Sequence, residues 1–258
     1  VPAELVWQGI LASLLAGLAT GVGALGVLFL RRLTERQEGT LLSLAAGIML
    51  AASFFSLLLP ALAQAEGQLG SKLPAVLIVI FGLLCGAAAL ALMHRLAPHE
   101  HFIAGREGPD ATNIGRIWLF VIAITIHNFP EGMSVGVGFA GGAANGTALA
   151  LGIGIQNVPE GLAVAVSLLA AGYGPGRAFL VGLLSGLVEP VGGVVGSLAA
   201  WLAAPALPWT MGFAAGAMLF VISDEIIPET HRKGLANLAT AWLMAGFALM
   251  MFLDATLG

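Results

Sequence analysis

Two hexapeptides 29 residues apart carry side chains able to hold a cation: His127-Asn128-Phe129-Pro130-Glu131-Gly132 and Gln156-Asn157-Val158-Pro159-Glu160-Gly161. Residues four apart share a helix face, so His127 pairs with Glu131 and Gln156 with Glu160. Asn128 and Asn157 lie one position on, about 100° around each helix. Pro130 and Pro159 have no N–H and release the carbonyls of Ile126 and Ile155 from helical bonding, which favours a polar pocket and a kink in each helix. A third carboxylate follows at Glu189-Pro190. All three acids sit in apolar surroundings without Lys or Arg at the same depth. Crowded carboxylates there either take up protons or hold cations. Imidazole nitrogen, carboxylate and amide oxygen together suit Zn2+ and its first-row relatives, whereas Ca2+ or Mg2+ would leave the histidine unexplained. One metal, or two sharing Glu131 and Glu160, are both compatible with this set.

Each of these residues also has a plainer reading. A His or Asn within a membrane helix commonly bonds one helix to the next, and a Pro-Glu-Gly run can be a helix end with a wet carboxylate. Those readings would have to hold independently in three consecutive segments. Met49 offers a thioether to the site or simply packs; Met218 reads as packing. Ser53 and Ser56 line the path or bond back to their own helix. Asp224, Glu225, Glu229 and His231 form an acidic cluster read as an exit pathway, against a solvated helix end. His94, His99 and His101 are read as loop histidines that capture metal loosely, against an ordinary wet loop.

The elements that position these residues are membrane spans. The chain is 59% hydrophobic and 9% charged, far below the charge of a soluble domain. Eight apolar blocks are expected to span the bilayer, at about 4–30, 40–63, 73–96, 115–140, 144–171, 177–204, 208–229 and 235–256, with a mobile loop over 97–115. One charge at the centre of such a span costs roughly 2.5–3.5 kcal/mol, so the doubled motif is expensive. The first block has no basic leader and no cleavage site, so it is expected to remain as a helix. Nine of the ten Lys and Arg residues fall on one set of loops and only Lys72 on the other, which places both termini outside and the 97–115 loop in the cytoplasm. The 36 glycines suit close helix packing, and the single Cys85 excludes a multi-cysteine metal site. No basic patch supports nucleic-acid binding.

The two hexapeptides occupy adjacent, antiparallel spans. A weaker match joins Ala45-Ala46-Gly47-Ile48-Met49-Leu50 to Ala214-Ala215-Gly216-Ala217-Met218-Leu219, with Pro60 and Pro228 beyond. Those two spans also run in opposite senses. An all-α membrane fold with inverted repeats and a midplane site is the pattern of secondary transporters.

At HNFPEG (127–132), IQNVPEG (155–161), Glu189-Pro190 and DEIIPETH (224–231) the chain resembles the ZIP (Zrt/Irt-like) family of divalent metal transporters, in its bacterial GufA-like members. The resemblance implies eight helices in a 3+2+3 inverted arrangement in a bacterial inner membrane, often as a homodimer. It implies import of Zn2+, and often Fe2+, Mn2+ or Cd2+, as bound substrate with no organic cofactor. It further implies a binuclear centre: His127, Glu131, Gln156 and Glu160 with Met49 nearby, then Asn128, Asn157 and Glu189 with the shared glutamates. An elevator-like movement is the mechanism proposed in relatives. Two positions depart from the pattern. Asn157 stands where relatives carry Asp, and Asp224 where similar sequences carry His. Two other readings remain: a different cation or proton-coupled carrier, and an intramembrane metalloprotease, which would require a second mid-membrane histidine.

Overall fold

A computed structural model describes residues 1–29, 32–96, 99–101, 105–107, 116–231 and 235–257. Helices dominate: α1 Ala3–Ala24, α2 Glu35–Ala52, α3 Leu59–Leu69, α4 Lys72–Leu96, α5 Arg116–Ala140, α6 Ala143–Ala170, α7 Pro175–Gly186, α8 Glu189–Leu202, α9 Leu207–Val221, α10 Ile227–Thr230 and α11 Ala236–Leu257. Within the stretch read as a mobile loop, β1 His99–His101 pairs antiparallel with β2 Gly105–Glu107, in the register Glu100 opposite Arg106. Backbone groups of the two arms satisfy one another there, which the loop reading missed. Residues 97–98, 102–104 and 108–115 of that stretch lie outside the described residues.

Seven spans among the described residues are long and apolar enough to cross a membrane. The 25-residue α5, with His127, Asn128 and Glu131 in its middle, is not one of the seven. Pro130 and Pro159 lie inside α5 and α6, which continue on both sides of them.

Three other blocks are less regular than their hydropathy suggests. The sixth breaks at Leu187 and Val188, between α7 and α8. Pro190 fits the first turn of a new helix but cannot continue an old one, so Glu189 becomes a first-turn carboxylate facing the helix's positive end. The second and seventh blocks each contain a π turn, Ser53–Leu58 after α2 and Ile222–Ile226 after α9. In each, the turn begins four residues beyond the methionine of the AAGxML match and precedes a proline.

Burial is inverted relative to a water-soluble core. Trp7, Phe29, Leu73, Phe81 and Leu202 are exposed, while Glu131, Glu189, Asn128, Asn157 and Gln156 are fully buried. An apolar exterior over a polar interior is what a hydrocarbon solvent selects. The helices pack in two groups: α1, α5, α6, α7 and α8 contact one another, as do α2, α3, α4, α9 and α11, with α2–α6, α5–α9 and α6–α11 joining them. These groups cut across the consecutive 3+2+3 blocks expected from the chain order.

Within a group, backbone touches backbone. A Cβ on Gly132 would collide with the Glu189 carbonyl, and one on Gly192 with the Phe129 carbonyl, which ties α5 to α8. Between groups several of the contacts are made by flexible methionines. Met211 of α9 reaches Gly141, Met250 of α11 reaches Gly152 of α6, and Ser134 donates to the sulfur of Met218 at 3.0 Å.

Candidate metal centre

α5, α6 and α8 bring His127, Asn128, Glu131, Gln156, Asn157, Glu160 and Glu189 into one buried region, none more than 5% exposed. The three carboxylates are near enough to repel one another, and Glu160 faces His127. Gln156 Nε2 donates to Glu131 Oε1 at 2.7 Å, and Asn157 Nδ2 donates to Glu189 Oε1 at 2.7 Å. Each amide thus donates to one carboxylate. No three His, Cys, Asp or Glu side chains among the described residues converge on one point in this arrangement.

The asparagines are aimed by backbone carbonyls. Asn128 Nδ2 donates to Ser185 O at 2.9 Å, and Asn157 Nδ2 also donates to Ala16 O at 2.8 Å. A carbonyl only accepts, so each amide must direct its nitrogen there and its oxygen elsewhere. Among the described residues, Asn128 Oδ1, Asn157 Oδ1, Gln156 Oε1 and one oxygen each of Glu131, Glu160 and Glu189 are buried without a hydrogen-bond partner. The amide donors are used and the acceptor oxygens are left over. Unmet buried acceptors cost about 1–3 kcal/mol each, and a cation satisfies several at once.

His94 differs from its loop reading. It lies inside α4, two residues from its end, and is 2% exposed. Its ring stacks on His127 with centroids 5.9 Å apart and meets Phe220 edge-on at 5.3 Å. Its Nδ1 stands 4.0 Å from Asp224 Oδ2, and the Asp224 side chain is 45% exposed. His94 therefore lies between the buried cluster and a wet carboxylate carried on the second π turn. Its position at the edge of the third apolar block hid this, because hydropathy does not show which way an end residue turns.

The remaining sequence candidates make other contacts. Met49 is buried in the apolar core shared by Ile153 and Met218. His231 uses Nδ1 toward Thr230 and Ile227 O and Nε2 toward Thr240, and so ties α10 to α11 instead of facing a pathway. The side chains of His99, His101, Glu225 and Glu229 lie outside the described residues. Ser53 bonds back to Met49 O at 2.8 Å. Ser56 instead donates to Asp254 Oδ1 at 2.7 Å, while Asn145 donates to Ser56 O. Asp254 was not singled out in the sequence, although an acid inside the last apolar block carries the same cost signal as the hexapeptides. The carbonyls of Ala16 and Ser185 have no sequence signal at all.

Residues 97–254 match the family described as ZIP zinc transporter. The chain is 48% identical to zinc transporter GufA of Myxococcus xanthus, over 97% of this chain and 99% of that protein. It is 49% identical to zinc transporter ZIPB of Bordetella bronchiseptica, over 93% and 78%. Human zinc transporter ZIP11 matches at 35% over 98% of each chain. This chain belongs to the ZIP family. Its members are transporters and not enzymes, which removes the metalloprotease reading, and the apolar helices agree with an integral membrane protein.

Proposed function

We propose that this ZIP protein imports Zn2+ and related dications such as Cd2+, Fe2+ or Mn2+ into the cytoplasm across a bacterial inner membrane, with both termini outside. The observation that carries this reading is the set of buried, unsatisfied oxygens beside His127. The names of the relatives support zinc as cargo.

Two metals share the cluster. His127, Glu131, Gln156 and Glu160 hold one, and Asn128, Asn157 and Glu189 with the shared glutamates hold the other. Gln156 and Asn157 place amide hydrogens on carboxylate oxygens that a cation would take. For Gln156 to become a ligand it turns its amide so that Oε1 replaces Nε2. Asn157 is held by Ala16 O and turns less readily, so the second metal binds more weakly. From the cluster the cation passes His94 and leaves by Asp224, a half-exposed carboxylate beside it.

Alternating access follows from the two packing groups. All seven polar ligands belong to the α1, α5–α8 group, which glycine contacts hold rigid. Met49, His94 and Asp224 belong to the other group. A sliding methionine seam lets one group move the site past the other, in an eight-span arrangement with inverted halves. Uptake of 65Zn2+ by proteoliposomes of the purified protein tests the reading. Uptake above protein-free vesicles is expected, and no Zn2+ or Cd2+ flux from folded protein would sink it.

A further inference from the structure

Hydroxyls inside membrane helices commonly bond back to the carbonyl one turn earlier. Ser53, Thr125 and Ser134 do so, to Met49 O, Val121 O and Pro130 O. Thr20 of α1 does not. It is fully buried, and its Oγ1 has no hydrogen-bond partner among the described residues. Its usual acceptor would be Ala16 O. That carbonyl already takes the backbone N–H of Thr20 within α1 and Asn157 Nδ2 at 2.8 Å. Both lone pairs of the carbonyl oxygen are then engaged, and none is left for the hydroxyl.

What Thr20 faces instead is the Glu189 carboxyl group. α1 and α8 are in close contact there: a Cβ on Gly17, three residues before Thr20, would lie 3.4 Å from Glu189 Cβ. Glu189 Oε1 accepts from Asn157, and Oε2 has no donor among the described residues. An unused donor and an unused acceptor therefore stand side by side, both fully buried. Each is costly alone, and one hydrogen bond removes both costs. We infer that Thr20 is a positioning residue, whose hydroxyl donates to Glu189 and holds that carboxylate between α1 and α6. Asn157 sets up both ends of the arrangement. The same amide nitrogen occupies Ala16 O, which releases the hydroxyl, and binds the other oxygen of Glu189. A carboxylate offers about four lone-pair sites, so the protein's two donors leave room for a cation. The consequence for transport rests on Glu189 being a metal ligand.

Thr20→Val keeps the branched shape and removes the hydroxyl, whereas Thr20→Ser keeps the hydroxyl. Circular dichroism and size-exclusion chromatography confirm that each variant is folded. Infrared difference spectra of the purified protein, stripped of metal by chelator, read the contact directly, with the Glu189 carboxyl band assigned by its loss in Glu189→Gln. That band should shift in Thr20→Val and stay near its wild-type position in Thr20→Ser. An unshifted band in Thr20→Val, or an equal shift in both variants, overturns the inference. Calorimetric titration with Zn2+ reads the consequence. The binding that Glu189→Gln weakens should weaken about tenfold in Thr20→Val, the size of one charge-assisted hydrogen bond, and recover in Thr20→Ser. In the Glu189→Gln background Thr20→Val should have no further effect. If Glu189→Gln weakens binding and Thr20→Val does not, or if the two losses simply multiply, the hydroxyl does not act through Glu189 and the inference fails. Zn2+ binding indifferent to Glu189→Gln, with the infrared shift present, upholds the hold of Thr20 on Glu189 and refutes Glu189 as a ligand instead.

Discussion

Glu131 and Glu160 gain their significance from the company they keep. Each lies one helical turn beyond a potential ligand on the same helix, and both are buried with an oxygen that no donor among the described residues reaches. Glu131→Ala or Glu160→Ala should bring uptake by proteoliposomes down to the protein-free background, whereas Glu100→Ala in β1 should leave it near wild type. Asn157 permits a sharper test, because its amide donates to Glu189 and to Ala16 O. In Asn157→Asp both donors vanish and a carboxylate faces a carboxylate. The metal-free protein should lose about 1–3 kcal/mol, read as a lower melting temperature, and added Zn2+ should raise that temperature more than it does for wild type. A Zn2+ response equal to wild type would argue against a second metal at this position. The ligand types were legible in the sequence because their i, i+4 spacing is local. Their bonding was not, since Asn157 meets a carbonyl 141 residues away.

At the scale of elements, some glycines join backbones and others stand in open space. Gly132 of α5 touches the first residue of α8 through the Glu189 carbonyl, so Gly132→Ala should destabilise by about 1–3 kcal/mol as an overpacking substitution and displace Glu189 as well. Gly67 of α3 has nothing within 4 Å of the added Cβ, so Gly67→Ala should be neutral or stabilise by about 0.5–1 kcal/mol. Thermal unfolding in one detergent compares the two directly, and equal shifts would refute the assignment of α5–α8 as a contact of backbones. Elements also show where sequence reasoning stopped. That the chain is built from apolar helices followed from hydropathy. The π turns at Ser53–Leu58 and Ile222–Ile226 did not, because an inserted residue leaves the apolar pattern of a lipid-facing helix unchanged. Those turns carry Ser56 to Asp254 and Asp224 toward His94.

For the whole molecule, two helix groups meet along a seam that includes methionine side chains, the His94–His127 stack and the Asn145–Ser56 O bond. If the site moves by sliding one group past the other, holding the seam should stop transport. In a Cys85→Ser background, Ser134→Cys with Met218→Cys, joined by a short reducible thiol linker, should suppress Zn2+ uptake, and reductant should restore it. Uptake that persists in fully linked protein would exclude movement along this seam. The choice of residues rests on the Ser134–Met218 contact at 3.0 Å, which joins α5 to α9.

By itself the sequence determined the solvent and the family and nominated candidate ligands, because hydropathy, helical spacing and short motifs are properties of neighbouring residues. Tertiary structure decided which candidates meet. It drew His94 out of its loop reading and onto His127, engaged both ring nitrogens of His231 within a helix corner, and added Asp254 through Ser56. It also sorted consecutive spans into groups that do not follow chain order. In a bilayer nearly every span is apolar, so hydropathy does not specify which helices pair. Interlocking small residues and buried polar contacts do, and these join positions far apart in the chain.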